Sequence, residues 1–495
     1  MITAINQSKD ERQKVKEQLR SILSKMLLKE EVLNHRIGLV HKEHQISAVN
    51  FIHYLVLRSQ NIREMQDHLH KMGLSSLDNS EGQILNQIVQ ILKWMNCPTV
   101  NELKTPCDYE QSSKIHKRHL INLLGKNHFK DQPNIMVTLS EKHLYEPEVF
   151  ENMLLAGMTI ARINCAHDNE EIWEMFISKI NEAKEKTNRE CKVYIDLAGP
   201  KIRVKKLLDK MNNEQPLLEM QLGDKALLCS KPQKNYNQYQ IVMAPKKVLA
   251  MVKKGESVFF DDGKFEAVIK ERTNAGLLLK FISAPIKKNK LKVEKGINFP
   301  ESDLKLKPLT RADEANLPFV VEHADLIGFS FVSKAQDIDH LRSKLAAINP
   351  KKAPALILKI ELLNAVENLP ELLLNGMKDA AFGVMIARGD LAVEIGFERL
   401  SEIQKEIIWL CRASHTPVVW ATQVLESLNK TGLASRSEIT DAANSVAADC
   451  VMLNKGDYII ETIETLSNIL KRQQGHRHRR RYVMRPLRIA QKFVG

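Results

Sequence analysis

Reactive side chains follow two neighbouring apolar segments of this chain. Lys359 and Glu361 close the first segment, and side chains at positions i and i+2 of a strand point to the same face. Arg388, Gly389 and Asp390 follow the second segment, where the glycine lets backbone N–H groups approach a ligand carboxylate and the aspartate can ligate a divalent cation. Two carboxylates on neighbouring strands predict a Mg²⁺ site. The alternative for Lys359 and Glu361 is an ordinary ion pair.

These segments belong to a regular alternation that begins at residue 135. Short runs rich in Val, Ile and Leu alternate with helix-length amphipathic segments, and this pattern predicts parallel strands with crossover helices. Eight runs are present, which is the number that closes a (β/α)₈ TIM barrel of the α/β class. The runs cover residues 135–140, 159–164, 192–198, 326–332, 355–361, 382–388, 417–423 and 450–454.

Polar residues at the ends of these runs are the candidates for a functional site. The active sites of such barrels lie at the carboxyl ends of the strands. A barrel of any function also carries some polar groups there, because strand ends meet water. The candidates are Ser140, Arg162, Asn164, Asp196, Ser330, Lys359, Glu361, Arg388, Asp390, Thr422 and Asn454.

The segments outside the runs predict the remaining domains. Apolar residues recur at helical spacing near the amino terminus, whereas the segment that follows is irregular, polar and basic, with one short apolar patch that could form a helix. The roughly 95 residues between the third and fourth runs are too long for one crossover helix, and their short apolar or alternating segments favour a small β domain. The predicted parts are a helical module (1–96), a linker (97–131), the barrel (132–205 and 296–470), an inserted β-rich lid (206–295) and a basic tail (471–495).

Charge and composition restrict the partners and the compartment. Residues 471–495 contain nine Lys or Arg and no acidic residue, so removing them from the net charge of +13 leaves +4 on the rest of the chain. Nucleic-acid binding would rest on this tail alone, which is a weak signal.

The amino terminus lacks an apolar signal segment, and no run of about 18 apolar residues occurs, so we expect a cytoplasmic protein without membrane contact. Seven cysteines without a C-x-x-C pair predict reduced thiols.

The order of the motifs resembles that of the pyruvate kinase family. The resemblance covers roughly residues 132–470, and the strongest part is ARGDL followed by ATQ-x-LES, both correctly placed after KIE. The β insertion after the third strand lies where that family carries its lid domain. The motifs, in order, are LLAGMTIARINCAH, YIDLAGPKIRV, DDG, GINFP, FSFV, KIE, ARGDLAVEIG, PVVWATQVLESL, SRSEITDAANSV and ADCVML.

This resemblance implies glycolytic phosphoryl transfer between phosphoenolpyruvate and ADP, giving pyruvate and ATP. It implies Mg²⁺ bound by Glu361 and Asp390, with the catalytic Lys359 beside the moving phosphoryl group and Arg162 binding that group from the nucleotide side. Phosphoryl transfer needs mainly positioning and neutralisation of spread charge, which agrees with these residue types.

The resemblance also implies the residues around the two substrates. The backbone at Arg388 and Gly389 would bind the substrate carboxylate, Phe331 would pack against the substrate, and Thr422 would lie near the carbon that is protonated. Asn164, His167 and Arg203 would lie on the nucleotide and monovalent-cation side. For His167, a structural histidine is the alternative.

The cation side departs from the family pattern. Asn164 and Asp196 are kept, but Ala166 replaces a serine ligand of K⁺, and Lys201 stands where K⁺-dependent relatives have glutamate. We hypothesise that the Lys201 ammonium takes over the electrostatic role of K⁺, so that K⁺ is not required. The alternative is a lysine that points into solvent.

Three further departures bear on catalysis and regulation. The family's S-G-E-T after the eighth strand is replaced by Asn454-Lys455-Gly456-Asp457, which puts proton delivery in doubt. The family's carboxy-terminal regulatory domain is missing, so we expect no activation by sugar phosphates. The helical module resembles extensions of an unusual branch of bacterial pyruvate kinase-like proteins. Separately, we expect the protein to form a homo-oligomer. Two hypotheses follow: an active pyruvate kinase, or a catalytically impaired relative that binds or regulates a partner.

Overall fold

The computed structural model describes residues 2–129, 132–286, 289–349, 353–474, 477–478 and 481–482. The amino-terminal part is helical, as its apolar spacing predicts. Short 3₁₀ turns occur between its helices, at Lys42–His44, Glu81–Gln83 and Pro98–Val100. The α-helices are α1 (Ile2–Val32), α2 (Asn34–Gly38), α3 (Gln45–Arg58), α4 (Arg63–Lys71), α5 (Ile84–Trp94) and α6 (Tyr109–Leu124).

The first part of the barrel follows α6 and alternates strands with helices. A 3₁₀ turn, Glu141–Tyr145, follows the first strand. The elements are β1 (Asn134–Thr138), α7 (Val149–Ala156), β2 (Ile160–Asn164), α8 (Glu170–Thr187) and β3 (Lys192–Asp196).

The lid is a β domain with its own hydrophobic core, and it begins and ends a few residues outside the predicted range 206–295. Eight of its strands form one sheet in the order β13-β9-β10-β11-β7-β8-β4-β5, and β6 pairs with β12. The elements are β4 (Arg203–Leu208), β5 (Glu214–Gln215), β6 (Leu217–Glu219), β7 (Lys225–Cys229), β8 (Tyr239–Ala244), α9 (Lys247–Met251), β9 (Ser257–Phe260), β10 (Phe265–Arg272), β11 (Leu277–Ser283), β12 (Lys290–Lys292) and β13 (Ile297–Asn298).

The second part of the barrel resumes after the lid. Two 3₁₀ turns, Phe397–Arg399 and Ser445–Ala447, interrupt it, and a short pair of strands, Arg477–His478 and Arg481–Tyr482, lies in the predicted basic tail. The elements are α10 (Arg311–His323), β14 (Leu326–Phe329), α11 (Ala335–Ile348), β15 (Ala355–Ile360), α12 (Leu363–Glu367), α13 (Leu369–Gly376), β16 (Phe382–Ala387), α14 (Arg388–Ile395), α15 (Leu400–Ala413), β17 (Val418–Ala421), α16 (Glu426–Thr431), α17 (Arg436–Asn444), β18 (Cys450–Leu453) and α18 (Ile459–Gln474).

In the described part of the chain, eight parallel strands close into a barrel in the order β1-β18-β17-β16-β15-β14-β3-β2. Each of the eight predicted runs contributes one of these strands. The prediction of a TIM barrel with an inserted β domain and a helical amino-terminal module is therefore confirmed. The parallel direction brings the carboxyl ends of all eight strands to one end of the barrel.

Helix α6 lies within the segment 97–131, which the sequence analysis interpreted as an irregular linker with one short apolar patch that could form a helix; in the structure the helix covers residues 109–124. Asp108 and Gln111 form a reciprocal capping box at the start of the helix. Its buried end inserts Leu123 and Leu124 among the side chains of the barrel interior. A methyl group on Gly383 would lie 2.4 Å from Leu123 Cδ2, so this close approach requires glycine. Tertiary packing thus orders a segment whose sequence is mostly polar and basic.

The helical module shares one continuous hydrophobic core with the helices around the barrel. The buried Asn50 side chain of α3 links the two, because Nδ2 donates to the carbonyl oxygens of Glu81 and Ala413 at 2.7 Å each, and Oδ1 accepts from the backbone N–H of Ile84 at 3.0 Å. His415, at the end of α15, contacts Ser47 Oγ at 2.9 Å. The module is thus part of the folded body. In the described ranges, no helix is long and apolar enough to cross a membrane.

Candidate active site

The carboxyl-terminal end of the barrel carries a buried network of opposite charges. The carboxylate of Asp196, which is 1% exposed, accepts hydrogen bonds from Arg162 Nη2 at 2.6 Å and from Lys359 Nζ at 3.2 Å. Arg162 Nη1 also donates to Thr138 Oγ1 at 2.8 Å. Three residues predicted at the ends of β2, β3 and β15 therefore meet around one carboxylate.

Lys359 is held from a second side by groups at the ends of β14 and β15. Its Nζ lies 3.1 Å from Glu361 Oε1 and donates to Ser330 Oγ at 2.7 Å. The backbone N–H of Phe331 donates to Glu361 Oε2 at 2.7 Å. Lys359 and Glu361 share one face, as the alternation of a strand predicts.

The network keeps Lys359 and Asp196 charged despite their burial. Burial lowers the pKa of Lys359, but the carboxylates of Asp196 and Glu361 outweigh it and hold that pKa above its ordinary value. Burial raises the pKa of Asp196, but the Lys359 ammonium and the Arg162 guanidinium bring it below its ordinary value. Burial dominates for Glu361, whose pKa is raised, and the nearby charge of Asp390 adds to this effect. An additional cation beside Glu361 would lower this pKa.

Asp390, in the first turn of α14, is bound by a lysine from the connection into the lid. Lys201 Nζ lies 3.0 Å from each carboxylate oxygen of Asp390 and 3.8 Å from Asp262 Oδ1, which belongs to the turn between β9 and β10 of the lid. Asn298 Nδ2 also approaches Asp390 Oδ1, at 3.4 Å. Although burial raises the pKa of Asp390, the Lys201 ammonium lowers it below its ordinary value.

The structure does not bring Lys201 to the other two residues of the predicted monovalent-cation side. The Asp196 carboxylate is bound by cations other than Lys201, and Asn164 Oδ1 accepts the backbone N–H of Ala166 at 3.1 Å within its own loop. The physical reason is charge: Asp196 already has two cationic partners, whereas Asp390 and Asp262 present two carboxylates to the Lys201 ammonium.

The side chain of Arg388 has a structural position. Its Nε donates to the carbonyl oxygen of Ala421 at 2.9 Å, its Nη1 donates to Asp441 at 2.7 Å, and its guanidinium lies 4.8 Å from the ring centroid of Trp420. These contacts turn the side chain away from the network around Asp196 and fix the end of β17 against the start of α14. Only the backbone of this segment remains for the predicted carboxylate binding.

Thr422 follows β17 in a strained backbone conformation. Its φ is +66°, and φ of the next residue, Gln423, is +56°. A positive φ is unusual for a β-branched residue and persists only where the surroundings enforce it. Thr422 Oγ1 accepts the backbone N–H of Gly389 at 2.9 Å. The hydroxyl therefore lies beside the glycine to which the sequence assigns substrate binding.

The predicted nucleotide side is a basic region at the junction of barrel and lid. Burial lowers the pKa of His167, and the positive charges of Lys455 and Arg203 lower it further. Arg203 Nη1 donates to the carbonyl oxygen of Glu294 in the lid at 3.0 Å. Asn164 lies at the end of β2, three residues before His167. Its backbone carbonyl oxygen accepts a hydrogen bond from the backbone N–H of His167 at 3.0 Å. A neutral imidazole beside two cations suits an anionic ligand.

The ends of β1 and β18 carry the remaining candidates. Asn454 Nδ2 donates to Glu426 Oε2 at 2.9 Å, and the Asn454 carbonyl oxygen accepts from Asn429 Nδ2 at 2.6 Å. Ser140 caps the following 3₁₀ turn through contacts with His143. Both residues are engaged in shaping their loops.

The donor set fits a hydrated divalent cation. In the described ranges, no group of three or more His, Cys, Asp or Glu side chains has the arrangement of a metal site. Mg²⁺, however, typically binds one or two carboxylates and keeps several waters. Glu361 and Asp390 supply two carboxylates, and Asn298 Oδ1, buried beside Asp390, has no hydrogen-bond partner among the described residues and could accept from a metal-bound water.

A cavity of about 420 Å³ adjoins this set, between residues 297–306 and the loops after β14 and β15. Lys201, Asn298, Phe331 and Glu394 line it. Three of these residues, Lys201, Asn298 and Glu394, also lie beside Asp390.

Comparison with known proteins agrees with this architecture. The family model described as "Pyruvate kinase, barrel domain" matches residues 131–463. The chain belongs to the pyruvate kinase family. Among curated pyruvate kinases, the chain is 32% identical to that of Thermococcus litoralis over 341 residues, which are 67% of this chain and 68% of the relative. It is 30% identical to that of Dictyostelium discoideum (68% and 65%) and 31% identical to that of Thermotoga maritima (66% and 67%).

The matched region of this pyruvate kinase family member spans about two thirds of each of these relatives. It includes the eight barrel strands and the lid, and it leaves out α1 to α6. The family resemblance predicted from the motif order is thereby confirmed. The helical module lies outside the matched region, and the contacts of Lys201 are a feature that the structure adds.

Sequence reasoning missed four polar residues of this pyruvate kinase-like site. Asp441 binds Arg388, Asn298 and Asp262 approach the Asp390–Lys201 pair, and Glu394 lies beside Asp390. All four lie in motifs that carry the family resemblance, namely SRSEITDAANSV, GINFP, DDG and ARGDLAVEIG, and Glu394 also follows Asp390 by four residues on the same helix face. The other three are far from their partners along the chain.

Glu394 makes the stability of this pyruvate kinase family member depend on pH. Burial, aided by the charge of Asp390, raises the pKa of Glu394 from 4.5 to about 7. A carboxyl group with a raised folded-state pKa contributes stability below its unfolded-state pKa and loses it as pH rises through the folded-state value. We therefore expect Glu394→Gln to raise the melting temperature at pH 8 by a few degrees and to leave it almost unchanged at pH 4.5.

Thermal unfolding with a chelator present measures this effect. The exposed Glu398→Gln is the matched control, for which the two pH values are expected to give the same small change. Equal shifts for Glu394→Gln at pH 4.5 and pH 8 would contradict the prediction.

Proposed function

We propose that this protein is an active pyruvate kinase that transfers a phosphoryl group between phosphoenolpyruvate and ADP with Mg²⁺, giving pyruvate and ATP. The observation that carries the proposal is the buried network in which Arg162 and Lys359 share the Asp196 carboxylate. Two fixed cations at the end of a barrel are what a phosphoryl transfer needs, because its transition state spreads negative charge over the equatorial oxygens.

Each residue of the network has a proposed role in this reaction. The Lys359 ammonium neutralises charge on the phosphoryl group as it moves, and Arg162 binds the same group from the nucleotide side. Asp196 and Ser330 hold the ammonium in place, so little reorganisation is needed during transfer. Glu361 and Asp390 would hold Mg²⁺, which when bound neutralises and orients the substrate oxygens.

The substrate and nucleotide are proposed to bind on either side of this network. The backbone at Gly389 binds the carboxylate of phosphoenolpyruvate, and the Phe331 ring packs against that substrate. The Thr422 hydroxyl, beside Gly389, lies near the carbon that gains a proton when the enolate becomes pyruvate. The basic group formed by His167, Arg203 and Lys455 binds the phosphates of ADP.

A coupled assay with lactate dehydrogenase tests the proposal directly. Purified full-length protein is mixed with phosphoenolpyruvate, ADP and Mg²⁺, and oxidation of NADH is followed. Turnover at about 1 s⁻¹ or faster is expected for an enzyme of this kind. Turnover that stays at background with Mg²⁺ or Mn²⁺ present would contradict the proposal.

A catalytically impaired binding protein is the second candidate, and one observation favours it. Lys201 occupies both oxygens of Asp390, one of the two proposed metal ligands. If this contact were permanent, Mg²⁺ would have only Glu361. Binding of phosphoenolpyruvate without turnover, measured by calorimetry, would favour this candidate.

We propose that activity does not require K⁺. The Asp196 carboxylate, on which a K⁺ site would depend, is neutralised by Arg162 and Lys359, and Lys201 adds a further cation to the site. Replacing K⁺ by tetramethylammonium at constant ionic strength is expected to change kcat by less than about threefold, because Arg162 and Lys359 neutralise Asp196 whatever monovalent cation is in solution. The coupled assay measures this change, with a K⁺-dependent pyruvate kinase as the control for the method, and a hundredfold loss of rate in this protein would contradict the proposal.

A further inference from the structure

One ammonium group joins the lid to the barrel. Lys201 lies in the connection that leads into β4, Asp262 belongs to the lid, and Asp390 belongs to the barrel helix α14. Lys201 Nζ is 3.0 Å from both oxygens of Asp390 and 3.8 Å from Asp262 Oδ1. The contact is partly buried, since the side chains of Lys201 and Asp390 are 22% and 14% exposed. An ion pair with this little solvent is screened less than a surface pair.

The surroundings are shaped to accept the lysine. A methyl group on Gly296 would lie 2.9 Å from Lys201 Cε, so the absence of a side chain at residue 296 leaves room for the lysine stem. Both carboxylate oxygens of Asp390 and one of Asp262 lie within 4 Å of the Lys201 ammonium. The contact is therefore a fixed cation on Asp390.

This cation occupies the oxygens that a divalent cation would need. Mg²⁺ binds carboxylate oxygens at about 2.0–2.1 Å, and two cations cannot share the same lone pairs at close range without strong repulsion. Asn298 Oδ1 stands beside Asp390 without a partner among the described residues, so the site has an acceptor that the ammonium leaves unused.

We propose that Lys201 is a positioning residue that competes with the divalent cation for Asp390, so that metal binding displaces the ammonium and releases its link to the lid through Asp262. The inference rests on the proposed role of Asp390 as a metal ligand. It makes two coupled statements: Lys201 weakens metal binding, and the metal loosens the junction between lid and barrel. Thermodynamic linkage requires both effects. A metal ion that binds only the state in which Lys201 has left Asp390 shifts the protein towards that state.

Mn²⁺ alone, without nucleotide or phosphoenolpyruvate, is the probe for the first statement. The free Mn²⁺ concentration is measured by electron paramagnetic resonance in titrations of full-length wild type, Lys201→Met, Lys295→Met and Asp390→Asn. Lys295 is the matched control, because its ammonium also pairs with a lid carboxylate, Asp261, at 2.8 Å. We expect Lys201→Met to bind Mn²⁺ at least tenfold more tightly than wild type, and Lys295→Met to change the affinity less than threefold.

Hydrogen exchange of the lid turn around Asp262 tests the second statement. In the wild type, adding Mn²⁺ is expected to speed exchange in residues 260–265. In Lys201→Met, exchange there is expected to be fast already and to be unaffected by Mn²⁺. A purely structural lysine would instead speed exchange in the variant without changing the affinity for Mn²⁺.

The outcomes separate the failure of this inference from that of the proposed function. If Asp390→Asn loses Mn²⁺ binding while Lys201→Met binds within threefold of wild type, the competition is refuted and the proposed metal site stands. The same holds if Mn²⁺ leaves exchange at the lid turn of the wild type unchanged. If Asp390→Asn binds Mn²⁺ as tightly as wild type, the proposed metal role fails and the inference falls with it. Absent turnover in the coupled assay, with both Mn²⁺ results as expected, would refute only the proposed function.

Discussion

Lys359→Met is expected to lower kcat by a factor of about 10³ to 10⁵, the range seen when a cation that neutralises the transferring phosphoryl group is removed. Methionine keeps the length and apolar stem of the side chain but removes its charge. The ammonium is 3.2 Å from Asp196 and 3.1 Å from Glu361, so its loss also leaves two buried carboxylates without their shared cation. KM for phosphoenolpyruvate is expected to change much less than kcat, because the charge acts mainly in the transition state.

The coupled assay gives kcat and KM for this variant, and circular dichroism establishes that it is folded. Removing one partner of a buried ion pair can cost about 3–5 kcal/mol, so the melting temperature must be measured as well. Lys344→Met is the matched control, because that lysine pairs with Glu314 on the surface at 3.2 Å. Its kcat is expected to stay within twofold of wild type. A folded Lys359→Met that keeps more than a tenth of wild-type kcat would exclude the assigned role.

Asn50→Leu is expected to lower the free energy of unfolding by at least about 3 kcal/mol, which is the lower limit for three unsatisfied buried groups. The substitution leaves the carbonyl oxygens of Glu81 and Ala413 and the N–H of Ile84 without their partner, and each unsatisfied buried group costs about 1–3 kcal/mol. Because Asn50 is 1% exposed, water cannot replace these bonds without opening the contact between the helical module and α15.

Urea unfolding, followed by far-ultraviolet circular dichroism, measures the change in free energy. Gln90→Leu is the control, since Gln90 lies on the exposed face of α5 in the same module, and its effect is expected to stay within about 0.5 kcal/mol. A change below 1 kcal/mol for Asn50→Leu would mean that the module does not depend on this contact for its attachment to the barrel.

Much of the fold follows from local patterns. The eight runs predicted the barrel strands because a buried parallel strand needs an uninterrupted apolar stretch, and such stretches are visible without any knowledge of pairing. The place of the site followed from the same pattern, because parallel strands direct all their carboxyl ends to one end of the barrel. The full length of α6 did not follow from this reasoning, because the helix is mostly polar and charged and its buried end contacts barrel-interior residues that are distant along the chain.

The partners of the charged side chains did not follow from local patterns. Lys201 could be recognised as an unusual cation, but its place on Asp390 depends on how the lid connection meets α14, 189 residues further along the chain. Arg388 stood in a motif associated with substrate, yet its side chain binds Asp441 on α17. An ion pair forms with whichever opposite charge the fold brings within about 4 Å. That distance cannot be inferred from the separation of the two residues along the sequence.

The sequence by itself determined the barrel, the inserted lid and the shared face of Lys359 and Glu361, because these depend on periodicities of two and 3.6 residues within single elements. Only the tertiary structure decided that Asp196 shares its carboxylate between Arg162 and Lys359 and that Lys201 lies on Asp390. It also decided that the helical module joins the core of the barrel. The physical reason is that charge pairing and core filling depend on distances between elements, which are set when all of them pack together.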